Sequence, residues 1–399
     1  MHDSRIGRRV FSLFAAYAIL LPLAAYADIE ITLKNSFIEK FKNRVTIDAN
    51  FTVDKAHPKP NPASKDGDLH AAGRAPEIGL AAVAEVMNAR FQKPALDLIH
   101  GSESSREPLQ VRGVWRLWCE HGGDVSFNQG DSLQPFDTTN PPHVFEVHPL
   151  LKVGDQELAD SLEPIDGFTY KDAEQAFRSY ENLKSHITPG TSTTTIRTTM
   201  AGFNYVEFAI ELNEDPTHAV DDGLTVKAAI LDLDGELLVR ERRMVFAAGT
   251  QPFERVKDLH KGDTLHVVGI PRIDLSLLSF RASHKDRPGI LDWSLPYEMV
   301  IVAAFEDTPQ PEGTAATSVT PAPAAPAPAE EAAASTPSAP RSEADMIESL
   351  TRMLSERPET TEGSGACEFR AGARTFCVVS TREECAQIGG RWHAGKRCQ

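Results

Sequence analysis

Apolar and polar residues alternate through Val45, Ile47, Ala49, Phe51 and Val53, the period of a half-buried β-strand. Before this strand, Phe37, Ile38 and Phe41 share one face of a short predicted helix over about 36–43. Asn35 or Ser36 is its candidate cap, with Glu39 as capping-box partner. The loop 55–66 carries three prolines, so it is no central strand. Asp66-Gly67 then turns the chain into Asp68–Arg74. The segment 80–87 is short enough to fit helix or strand, and 92–100 reads as a helix. In 111–119 a strand places Val111, Gly113, Trp115 and Leu117 on one face. The stretch 140–153 closes the series as a strand, expected to pair with the Val111 and Asp68 strands.

A helix between the third and fourth of five strands is the order of an OB-like barrel. The pattern repeats further on. Val206, Phe208, Ile210 and Leu212 alternate with polar residues, and Asp234-Gly235 joins two strands as a hairpin. A short helix follows at 252–260, and strands follow at 265–270 and 296–305. The predicted fold is therefore mostly β: two OB-like barrels in tandem, over 28–153 and 191–307. A polar connector over 154–190 joins them, with a helix at about 170–183. Residues 308–341 are dominated by Ala, Pro, Thr, Ser and Glu and read as a disordered linker. Residues 342–358 read as an amphipathic helix with Met346, Ile347, Leu350, Met353 and Leu354 on one side. Alone it is marginal in water, so the stretch 343–356 is expected to dock on a partner or a domain.

Composition narrows the setting. Arg5, Arg8 and Arg9 precede an apolar run, and Ala25-Tyr26-Ala27 is a small-x-small cleavage site, so 1–27 reads as a signal peptide. The expectation is an exported chain, periplasmic or extracellular, with no membrane span after cleavage. The net charge of −16 and the lack of a Lys/Arg stripe argue against nucleic acid as partner. Four of the five cysteines, Cys367, Cys377, Cys385 and Cys398, fall in the last 33 residues. In an exported segment too short for its own core, that clustering implies disulfides in a module over 365–399. Close C-x₂₋₄-C pairs for zinc are absent.

Two resemblances add to this reading. Asp66-Gly67-Asp68-Leu69-His70, Val111-Arg112-Gly113-Val114-Trp115 and Glu146-Val147-His148-Pro149-Leu150 resemble motifs of bacterial exported proteins of unknown role that carry an OB-like domain. Ala84-Glu85-Val86 fits that group's third strand, which favours strand over helix at 80–87. The resemblance implies a fold and no established activity. The tail, with Thr381-x-x-x-Cys385, Gly389-Gly390-Arg391-Trp392 and Cys398, resembles a short module repeated in bacterial surface proteins.

Candidate chemistry gathers on the first barrel. Asp66, Asp68 and His70 share a strand face, as do Glu146 and His148. Histidine with carboxylate can ligate Zn²⁺ or serve as base and acid, and His121 at the end of the Val111 strand is a further possible ligand. Plainer roles are favoured: a turn at Asp66–Asp68, a local bond from a His before Pro, and surface hydrogen bonding of Glu-x-His on a barrel exterior. Cys119 reads as a buried free thiol, and core packing is the default for Trp115 and Trp118. Arg240, Arg242 and Arg243 read as a solvated strand face. No P-loop, G-x-S-x-G, H-E-x-x-H or G-x-G-x-x-G is present, and no cofactor is implied. The expected function is a non-enzymatic exported binding or interaction protein with a protein, peptide or glycan ligand. The alternatives are a metal-dependent hydrolase of the nuclease or phosphoesterase class, centred on Asp68, His70, Glu146 and His148, and an envelope structural component attached through 343–356.

Overall fold

In chain order the elements are β1 (Ile29–Lys34), α1 (Asn35–Phe41), β2 (Thr46–Ala56), β3 (Leu69–Arg74), β4 (Ala82–Val86), α2 (Lys93–Ser105), β5 (Leu109–Leu117), β6 (Ser126–Asn128), β7 (Phe145–Val153) and β8 (Gln156–Glu157). They continue through α3 (Ala173–Asn182), β9 (Lys184–Pro189), β10 (Thr193–Thr198), β11 (Val206–Leu212), β12 (His218–Val220), β13 (Gly223–Leu231) and β14 (Leu237–Ala247). Then come α4 (Gln251–Val256), β15 (Thr264–Ile273), α5 (Leu275–Ser283), α6 (Pro288–Leu291), β16 (Asp292–Ser294) and β17 (Tyr297–Ala304). The computed structural model describes residues 29–306 except 124, and the backbone of 365–371, 374–380 and 391–394. The expected signal peptide, the 308–341 linker and the 342–358 helix lie outside the described residues.

Two closed five-stranded barrels result. In the first, β2 pairs with β3, β3 with β4, β4 in parallel with β7, β7 with β5, and β5 back with β2. The second repeats the circuit as β11, β13, β14, β17 and β15, with β14–β17 as the parallel step. In both, a helix lies between the third and fourth strands, α2 in one and α4 in the other. The Asp68 strand is thus not a neighbour of the closing strand. β3 lies between β2 and β4, and the parallel β4–β7 pair closes the ring. A sequence order of five strands leaves that closure open, because pairing partners are set by barrel geometry rather than by proximity along the chain.

A third sheet, in the order β16-β9-β10-β1-β6, gathers short strands from distant parts of the chain. It takes β10 away from the second barrel and gives the connector a strand, β9, beside its helix α3. α1 begins one residue earlier than expected and has no side-chain cap. Asn35 instead bonds Gly190 O and Thr194 Oγ1, and Glu39 accepts from Ser279 Oγ, so tertiary partners replace the capping box. The segment between the last two strands, to which the sequence pattern assigns no element, holds α5, α6 and β16. Asp274 caps α5 by accepting from Leu277 N.

The interior of the first barrel follows the alternation: Ile47, Ala49, Phe51, Trp115, Leu117, Phe145 and Val147 are all buried in one core. Trp118, just past the end of β5, is buried as well, but against Tyr180 and Tyr297. The register shifts between Gly113 and Trp115, where β7 inserts His148-Pro149 as a bulge. Proline suits a bulge because it has no N–H to offer the ladder. Gly113 lets β7 approach: a Cβ there would stand 2.5 Å from Val147 Cγ1 and 2.7 Å from Pro149 O. Gly113→Ala is expected to lower stability by about 1–3 kcal/mol through overpacking against backbone. A urea midpoint equal to wild type would contradict this close approach.

The chain divides into two compact units, Met1–Ala316 and Thr317–Gln399. Among the described residues the second unit holds a three-stranded antiparallel sheet, in which 365–371 pairs with both 374–380 and 391–394. Cys367 and Cys377 lie on its first two strands, and Glu368 is the register partner of Cys377. Cys385 and Cys398 lie outside the described residues, so the expected disulfides do too. No helix among the described residues is long and apolar enough to cross a membrane.

Candidate functional site

Glu146 and Arg116 alternate with core residues on β7 and β5, so their side chains leave the first barrel on its outer face. That face is covered by the second barrel. Val114 and Leu151 join Tyr205, Val245, Val268, Ile270 and Val300 in a second apolar cluster between the barrels. Polar groups caught in this seam have lost water and must satisfy each other.

They form a continuous network. Arg116 donates to Glu146 Oε2 at 2.5 Å, to Glu120 Oε2 at 2.8 Å and to Pro271 O on β15 at 3.0 Å. Glu146 also meets His143 Nε2 at 3.3 Å and His148 Nδ1 at 3.2 Å. Glu85 Oε2 stands 3.2 Å from the same His148 Nδ1, and His70 lies 3.6 Å from Glu85. On its other side His148 Nε2 is 2.8 Å from Tyr205 OH, and that hydroxyl donates to Asp68 Oδ2. His121 stacks on His143. Asp68, Glu85, Arg116, His143, Glu146 and His148 have side chains no more than 5% exposed.

The proton positions follow from these contacts. Tyr205 gives its proton to Asp68, so it accepts from His148 Nε2. His148 Nδ1 faces two carboxylates and is a donor as well. His148 is therefore an imidazolium, and Glu85, Glu146 and Asp68 raise its pKa to about 9 against the cost of burial. Burial pushes Asp68 well above the usual carboxylate range, and its Oδ1 has no hydrogen-bond partner. Glu146 is also fully buried, yet Arg116 and the two histidines hold it well below the ordinary value. His143 is raised by Glu146 despite its burial.

The sequence motifs thus converge. Asp68, Glu146 and His148 meet in one cluster, with His70 at its edge through Glu85 and His121 at its other end through His143. The expectation that Glu146 and His148 hydrogen-bond at a surface is corrected, because a second barrel covers that face. Glu85, Arg116, His143 and Tyr205 were not among the sequence candidates. A charged residue inside an apolar strand, as in Ala82–Val86 or Trp115-Arg116-Leu117, is the signal that was available for two of them. Two triplets, Asp68/Glu85/His148 and His121/His143/Glu146, each bring ligand-type atoms within 4.8 Å of one another. The fit to a divalent ion is poor in the first: both imidazole nitrogens already donate, and the ion would have to displace a proton from His148. Cys119 is a buried free thiol, raised to about 12 by burial, and no nucleophile.

A second Arg contact mirrors the first. Arg272 of β15 is fully buried, pairs with Glu298 at 2.7 Å and donates to Trp115 O, Val45 O and Arg44 O at 3.0–3.2 Å. Its guanidinium lies 3.6 Å from the Trp115 ring centre. Arg116 thus reaches the carbonyl of Pro271, while Arg272 reaches the carbonyl of Trp115. Each barrel sends an arginine into the neighbouring strand of the other.

The open feature is elsewhere. A cleft of about 550 Å³ lies on the second barrel, between β13–β14 and the segment that joins β15 to β17. Lys227, Arg242 and Arg243 line one wall, and Leu277, Phe280, Arg281 and Trp293 line the other. Trp293 is 62% exposed and Phe280 48%. Arg242 lies over the Tyr297 ring at 4.8 Å and is bound by both oxygens of Glu181. Arg242 and Arg243 are therefore half-buried and partnered, which corrects the expected solvated face, whereas Arg240 is exposed.

No protein-family model and no curated protein matches this chain. Among solved structures, one described as "Structural mimicry for functional antagonism" is similar at 10% identity and a TM-score of 0.15, over 59% of this chain and 90% of that one. A similarity of that size carries no argument.

Proposed function

We propose that this chain is a non-enzymatic binding protein, exported by a cleavable signal peptide, whose two barrels are OB-like and whose ligand lies in the cleft of the second. One observation carries the reading. The cleft is built from the second and third strands of that barrel and from the segment joining its fourth and fifth. That is the face on which OB-type barrels hold oligonucleotides and oligosaccharides. Exposed aromatic faces beside partnered arginines suit a ligand with flat apolar surfaces and polar edges. The first barrel then serves as a rigid mount, fixed through Arg116 and Arg272. The disulfide-stapled tail and the 343–356 helix belong to this reading as further attachment points.

A hydrolase centred on Asp68, His70, Glu146 and His148 would need substrate to reach atoms that the second barrel covers. The burial of those atoms favours binding over catalysis. The test is a glycan and peptide array probed with the full mature chain and with Trp293→Ala/Phe280→Ala. The variant is expected to lose at least about tenfold in signal for whatever the wild type captures, as for removal of two stacking faces. Identical capture profiles would remove the cleft from the mechanism.

A further inference from the structure

Four cations line the cleft, and three have carboxylate partners. Lys227 pairs with Glu241, Arg242 with Glu181, and Arg243 with Asp274 and Glu298. Arg281 differs. It is 7% exposed, its guanidinium makes one hydrogen bond among the described residues, from Nη1 to Ser294 O at 2.6 Å, and Asp274, which pairs with Arg243, acts on it only as a more distant charge. A guanidinium offers five N–H donors, and a buried charge without a counter-ion is costly. The group borders both the main cleft and the smaller apolar recess formed with Ile290 and Trp293.

We infer that the cleft recognises a carboxylate-bearing sugar chain, a uronate oligosaccharide, with Arg281 taking a carboxylate and Trp293 packing on a ring face. The inference rests on the cleft being the binding site. A bidentate carboxylate supplies the close, hydrogen-bonded counter-ion that the more distant Asp274 does not provide. The C–H face of a pyranose ring lies flat on an exposed indole. Sugar hydroxyls both donate and accept, which suits a lining that holds Ser276, Asp274 and Glu241 beside its cations. A peptide anchor would call for an enclosed apolar pocket, whereas Trp293 and Phe280 stand open at the rim. A nucleic-acid strand, with a phosphate at every step, would meet Glu241, Asp274 and a chain of net charge −16.

The probes are hexagalacturonate and its fully methyl-esterified form, which keeps the rings and removes the charge. Each is titrated into the full mature chain, with Trp fluorescence and calorimetry as readouts. The acid is expected to bind at least about tenfold tighter than the ester, the value of one charged hydrogen-bonded pair. Arg281→Gln should remove that preference by weakening the acid far more than the ester, Arg281→Lys should retain part of it, and Trp293→Ala should weaken both probes. Ester binding by Arg281→Gln that is still lost on adding Trp293→Ala shows that its cleft is intact. Equal affinity for acid and ester, still lost in Trp293→Ala, would overturn the uronate assignment and leave the cleft as the binding site. No binding of either probe by wild type would overturn the assignment as well, and the array comparison then decides the cleft independently.

Discussion

Arg272→Met is expected to destabilise the barrel pair by about 3–5 kcal/mol. The substitution keeps a side chain about as long as the arginine stem and removes the guanidinium. Glu298 is then left buried without its main counter-ion, since Arg243 is more distant at 3.4 Å and Glu298 Oε2 already lacks a hydrogen bond. The carbonyls of Val45 and Trp115 lose the Arg272 donor at the same time, and that of Arg44 keeps only the Trp115 Nε1–H. The double variant Arg272→Met/Glu298→Met should regain the part of the loss that comes from the orphaned carboxylate, and not the part from the carbonyls. Urea unfolding followed by far-UV circular dichroism measures both. A single variant within about 0.5 kcal/mol of wild type would mean that the two barrels do not depend on this contact.

The second large effect is a loss of stability in mild alkali that depends on His148. Its folded pKa of about 9 lies above the unfolded value of about 6.5. The folded state therefore holds a proton that the unfolded state has released. Stability from this group is fully present below pH 6.5 and disappears as pH rises through 9. The difference corresponds to about 3 kcal/mol at full deprotonation. The groups facing His148 are Glu85, Glu146, Asp68 and Tyr205. Asp68, raised by burial, has the same sign, its contribution being lost as pH rises through its folded pKa. Glu146, held low, acts on the acid side and protects only above its folded pKa. Urea midpoints between pH 6.5 and 9 should fall steadily in wild type. In His148→Gln they should start about 3–5 kcal/mol lower, from the loss of a buried ion pair, and stay flatter over the same range. Parallel slopes in the two proteins would show that His148 is not the titrating group.

Much of the barrel architecture could be read from alternation. Val45–Val53 and Val206–Leu212 show period two because one face of each strand is interior and the other is not. The position of each helix between third and fourth strands was legible for the same reason. Closure was not: β3 and β7 carry the two halves of the Asp/His motif, yet β4 lies between them. The His148-Pro149 bulge was also hidden, since a bulge shifts register without changing composition. The third sheet escaped because its strands are short and each pairs only with distant residues, Ile29–Lys34 with Thr193–Thr198 among them. The α5–β16 segment, which makes one wall of the cleft, lacks clean periodicity because only Leu275, Leu278 and Arg281 of its helix are buried.

The sequence by itself determined which residues carry charge on apolar strands, and it singled out Asp68, His70, Glu146 and His148. It could not determine their meaning. Period two separates an inner from an outer face, but it does not say whether the outer face meets water or another barrel. Here the second barrel covers it, with Tyr205, 137 residues beyond Asp68, completing the network. Removal of water turns these residues from a potential solvent-facing site into an internal ion network, because buried charges must be paired with each other. The same docking leaves the second barrel's own strand face uncovered. Tertiary structure thus moved the candidate binding site from the motifs that drew attention to Arg281 and Trp293, which no local pattern marked.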